Sequence, residues 1–121
     1  MNLVLIRGRL TADPKSRTAG STTIAGFTIA LNEKSKDGKE TVKFFRCKFF
    51  GKQAENVVKW FTKGKEIIIE GALDQEKFQD KNGNDVEIVV IKGFRWEFVG
   101  GDKKKDDAPS AEDNAGGLSI R

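Results

Sequence analysis

The hydrophobic rhythm of this chain changes once, and that change limits what it can fold into. Residues 3–10, 22–31 and 41–50 read as strands. The second alternates Ala25, Phe27, Ile29 and Leu31 against Thr22, Ile24, Gly26, Thr28 and Ala30. A period of two marks a strand with one face on a core. Between residues 52 and 62 the period lengthens. Ala54, Val57, Val58 and Phe61 recur at helical spacing, and Lys63-Gly64 supplies a basic last turn and a glycine stop. The strand pattern then resumes over residues 66–78 and 85–99, joined by the hairpin signal Asn82-Gly83. Three strands, one helix and two strands is the order of an all-β OB fold, a five-stranded Greek-key barrel with its helix between strands 3 and 4. A generic α+β sandwich has the same element list. Gly8, Gly26 and Gly71 suit strands that must coil into a barrel.

Composition limits the chemistry. The chain has 121 residues, enough for one domain and a tail. It contains no histidine and a single cysteine, Cys47. The commonest general base is therefore missing, and neither an intrachain disulfide nor a Cys/His zinc site is possible. No cofactor or metal is expected, and binding is a better reading than catalysis. Asp80 and Asp85 flank the hairpin turn and read as turn chemistry. The apolar run at residues 3–6 is short and meets Arg7 and Arg9, so it does not resemble an export signal. No stretch approaches the roughly 20 apolar residues of a membrane span. The expected compartment is the cytoplasm.

With 22 Lys and Arg against 18 Asp and Glu, the net charge is +4. Residues 1–100 hold nearly all the large apolar groups and form the expected domain. Residues 101–121, rich in Gly, Asp and Lys, cannot bury enough surface to offset their ordering entropy, so a disordered tail is expected. That tail has a small excess of acid, which leaves the domain more basic than the whole chain.

Residues 41–50 carry the most information. One face of this strand presents Lys43, Phe45, Cys47 and Phe49, and the other Val42, Phe44, Arg46, Lys48 and Phe50. A core face would not hold adjacent unpaired cations, because burying charge is costly. A purely solvated face has no need of two phenylalanines. Rings interleaved with cations suit a single-stranded nucleic acid, whose bases stack on the rings while its phosphates meet the cations. The plainer alternative is that the phenylalanines are core. Cys47 reads as a small buried hydrophobe. Phe78 stands in a polar stretch far out on the hairpin, as a stacking platform, an oligomer contact or a partner of its own neighbouring strand.

Several landmarks in order resemble the bacterial and phage single-stranded DNA-binding proteins. They are Leu3-Val4-Leu5-Ile6-Arg7-Gly8-Arg9-Leu10, Asp13-Pro14 with Arg17, Phe27-Thr28-Ile29-Ala30, and Phe44-Phe45-Arg46-Cys47-Lys48-Phe49-Phe50-Gly51-Lys52. Gln53-Ala54-Glu55, Lys63-Gly64 and Ile67-Ile68-Ile69-Glu70-Gly71-Ala72-Leu73 complete the series. The likeness covers residues 2–100. It implies an OB barrel and a homo-oligomer, a tetramer or a dimer, that binds single-stranded DNA without reading sequence during replication, recombination and repair. It implies stacking roles for Phe44, Phe50 and Phe78, and phosphate contacts for Arg46, Lys52, Lys63 and Lys77. The implied setting is the nucleoid of a bacterium or a phage-infected cell.

The sequence departs from that family in places. Phenylalanine stands at 44 and 78 where tryptophan is frequent, no aromatic lies near Ser35, and Asp74 and Glu76 stand where basic residues are common. Phe45 stands where the family often has a histidine that helps form a subunit interface. The chain ends in Leu118-Ser119-Ile120-Arg121 and not in an acidic Pro-Phe peptide, which leaves recruitment of replication or repair proteins open. Two other functions fit the residues. One is an accessory replication or RNA-binding OB protein; the other is a protein-interaction module using the same aromatic face.

Overall fold

A computed structural model describes residues 1–100 of the chain. The tail expected over residues 101–121 lies outside the described residues. The elements are β1 (Val4–Leu10), β2 (Lys15–Ala19), β3 (Thr22–Lys34), β4 (Glu40–Phe50), α1 (Lys52–Trp60), β5 (Glu66–Gln79) and β6 (Asp85–Phe98). The strands lie in the order β1-β5-β6-β4-β3-β2, and β1 also pairs with β3. That extra pairing, through Arg9↔Ala30 and Leu10↔Ile29, closes five strands into a ring. All contacts around the ring are antiparallel except β4 with β6, which run parallel. This is the OB barrel that the order of periods predicts.

The sixth strand, β2, lies on the outside of that count. All five of its residues are exposed, so it shows no apolar alternation to read. It forms because β3 has a free edge beyond its pairing with β1. Asp13-Pro14 bends the chain back along that edge, and Gly20 at φ 64° closes the hairpin. The β3–β4 ladder also runs further than its apolar residues suggest, to Lys34↔Glu40. In the turn beyond it, the Ser35 hydroxyl bonds the Asp37 carboxylate and holds its pKa below the usual value.

The inward residues of the five ring strands meet in one core. Phe27 and Phe49 stack at 6.2 Å, and Trp96 meets Phe61 edge-on at 5.0 Å. Ala54, Val57 and Phe61 bring α1 onto the barrel, while Trp60 packs at the margin. Each large side chain so buried contributes about 1.5–3 kcal/mol. Cys47 is among them, and burial pushes its thiol up to about 12. Two glycines make room. A Cβ at Gly93 would lie 2.3 Å from the Phe49 ring, and one at Gly71 would lie 2.2 Å from the Lys92 carbonyl oxygen. Gly71 sits at a bulge where the register shifts and Phe94 is left without a partner on β5.

Candidate nucleic-acid interface

The outward face of β4 is continuous with its neighbours because paired residues share a face. Thr28, Gly26 and Ile24 of β3 stand beside Arg46, Lys48 and Phe50, and Ala30 stands beside Phe44. Beyond Gly26 and Ile24 come Lys15 and Arg17 of β2. On the other side Arg46 and Lys48 neighbour Val90 and Lys92 of β6. Four strands therefore make one surface with cations on it at both edges.

Its rings are accessible. Phe44 is 63% exposed and Phe50 40%, whereas Phe49, between them in sequence, is fully buried. Between β2 and β4 the surface dips into a groove of about 420 Å³ lined by Lys15, Arg17, Ile24, Thr28, Arg46 and Lys48, among others. Lys15, Arg17 and Arg46 make no ion pair among the described residues. A groove with unpaired cations on both walls attracts a polyanion, and low-dielectric walls strengthen that attraction.

The other half of the surface is compensated. Lys48 is paired with Glu76 and is only 12% exposed. Lys92 is 3.7 Å from Asp74, and its ammonium lies 5.6 Å from the centre of the Phe50 ring. Val90 sits between Arg46 and Asp74 in the ladder and is fully buried, although it is outside the main core cluster.

The remaining candidates are more scattered. Phe78 is 49% exposed on the β5–β6 arm, on the face that carries Asp74 and Glu76, with Val86 opposite it. Lys77 alternates to the opposite face of the arm, 4.0 Å from Glu87. Lys52 starts α1, one residue beyond Gly51, and pairs loosely with Glu55 at 3.9 Å. Lys63 follows α1, and its backbone N–H donates to the Asp13 carboxylate at 2.8 Å, next to the groove. The structure thus brings Phe44, Arg46, Lys48 and Phe50 together and puts Lys77 apart from Phe78.

Three cations of this surface were not among the candidates from sequence: Lys15, Arg17 and Lys92. The alternation Lys15-Ser16-Arg17 was a signal for the first two. Only the pairing of β2 with β3 shows which surface they join. Asp80 does what its position at the hairpin predicts, since its carboxylate accepts the N–H groups of Asn82 and Asn84 at 2.9 Å each. Among the described residues no group of His, Cys, Asp or Glu could hold a metal ion. No described helix is long and apolar enough to cross a membrane.

A model of the single-strand binding protein family matches residues 1–99. The chain is 30% identical to a single-stranded DNA-binding protein of Halalkalibacterium halodurans over 98% of its own length and 73% of that protein's. It is 36% identical to one of Clostridium perfringens, with 78% of this chain and 64% of the relative covered. It is 33% identical to one of Staphylococcus aureus, with 82% and 65% covered.

Proposed function

The chain belongs to the single-strand binding protein family, and on that footing we propose that it binds single-stranded DNA without reading sequence and does no chemistry on it. One observation carries this reading. The outward face of β4 holds two accessible rings and Arg46 beside a groove with unpaired Lys15 and Arg17. Bases stack on Phe44 and Phe50, and on Phe78 further out. Phosphates follow Arg46, Lys15 and Arg17, with Lys48, Lys52 and Lys63 around them and Lys77 reached only from the far face of the arm. Stacking is worth roughly 1–3 kcal/mol per base and accepts any base, because every base has a π-face.

The role that follows is to protect and organise exposed strands during replication, recombination and repair, in the cytoplasm with bacterial or phage DNA. Self-association into a tetramer, or a dimer, is part of the proposal. Leu3 just before β1, Leu5 of β1 and Phe94 of β6 are each more than half exposed, and a second copy would cover them. Light scattering that returned only the mass of one chain would contradict it.

The functional test is a titration of matched single-stranded DNA, duplex DNA and single-stranded RNA at two salt concentrations. Tight binding to the DNA single strand that falls steeply with salt is expected. Preference for RNA would favour the RNA-binding alternative. No binding to any of the three would make the aromatic face a protein contact.

A further inference from the structure

The outward surface is split into a half with free cations and a half whose cations already hold carboxylates. Lys48 and Lys92 stand side by side in the β4–β6 ladder, and each reaches a carboxylate on β5, Glu76 and Asp74. The first pair is not an ordinary surface pair. Lys48 is 12% exposed and Glu76 31%, so solvent screens it far less than the Lys52–Glu55 pair on the helix, at 82% and 54%. The second pair places Lys92 between Asp74 and the ring of Phe50. A base stacking on that ring must move the ammonium, and a phosphate approaching Lys48 must displace Glu76 or sit against its charge.

We infer that Glu76 and Asp74 are built-in competitors of the DNA phosphates, occupying Lys48 and Lys92 in the free protein and lowering both affinity and salt dependence. The inference rests on the single-strand binding reading above. A lysine that stays with its carboxylate neutralises no phosphate, so fewer of the cations condensed on the DNA are released when it binds. The surface therefore behaves as though it had fewer cations than its sequence supplies. The carboxylates come from the β5–β6 arm, so the competition depends on where the arm lies.

The test is the full chain with Glu76→Gln, and separately Asp74→Asn, titrated with an oligothymidylate at several salt concentrations. Each freed lysine should steepen the log–log salt slope by about 0.7, equivalent to about fivefold tighter binding at 0.1 M salt. Adding Lys48→Gln to Glu76→Gln should abolish that gain. Asp74→Asn keeps the test sound if the Glu76 variant folds poorly, because Asp74 and Lys92 are both about half exposed. Unchanged slopes, or weaker binding in both well-folded variants, would overturn the inference and make the carboxylates positioning groups for the lysines. A wild-type chain that does not bind the oligonucleotide at low salt would instead overturn the functional reading itself.

Discussion

The two faces of β4 are made of nearly the same residues and do opposite things. Inward, Phe49 is fully buried, stacks on Phe27 and fills the space left by Gly93. Outward, Phe44 and Phe50 flank Arg46 and Lys48, and their rings remain accessible. The residue type does not decide the role; the side of the pleat does. Closure of the barrel makes the two environments this different, since it gives each of the five ring strands one dry side and one wet side.

The largest expected effect is on the dry side. Phe49→Ala should cost about 3–5 kcal/mol of folding stability. Denaturant melts would read this as a lower midpoint, and a variant as stable as wild type would break the contrast between the faces. A smaller effect is expected on the wet side. Arg46→Ala should leave the melt nearly unchanged, weaken single-strand binding about fivefold at 0.1 M salt and flatten the salt slope by about 0.7. Weaker binding with an unchanged slope would take Arg46 off the phosphate track.

A third effect is confined to high pH, at Cys47. Its thiol titrates near 9.0 when unperturbed and is raised to about 12 in the fold, by burial acting against the nearby Arg46. The unfolded chain therefore loses this proton first. The stability contributed by the buried thiol is complete below about pH 9 and is lost as pH rises towards 12. The stability advantage of wild type over Cys47→Ala in melts should shrink across that range. A flat difference would mean that the thiol is not buried as described.

Much of this contrast is legible in the sequence, because it depends on local alternation. The period-two pattern of residues 41–50 separates Phe49 from Phe44 and Phe50, and the helical spacing of Ala54, Val57 and Phe61 places α1. What alternation cannot show is pairing at a distance. β2 has no apolar face, so only the free edge of β3 reveals Lys15 and Arg17 as part of the surface. The Lys48–Glu76 pair joins residues 28 apart. Phe94 would share the buried side with Trp96 and Phe98 by simple counting, but the bulge opposite Gly71 turns it outward. Lys77 shows the reverse: alternation separates it from Phe78, while the family resemblance groups the two.

The central claim is that the wet face of β4 binds and the dry face folds, and Phe44→Ala tests it most directly when stability and binding are measured on the same sample. With its ring 63% exposed, the variant should melt with wild type, while its affinity for an oligothymidylate falls by roughly 1–3 kcal/mol. A lowered melt with undiminished binding would contradict the account, because it would place Phe44 among the residues that hold the barrel together.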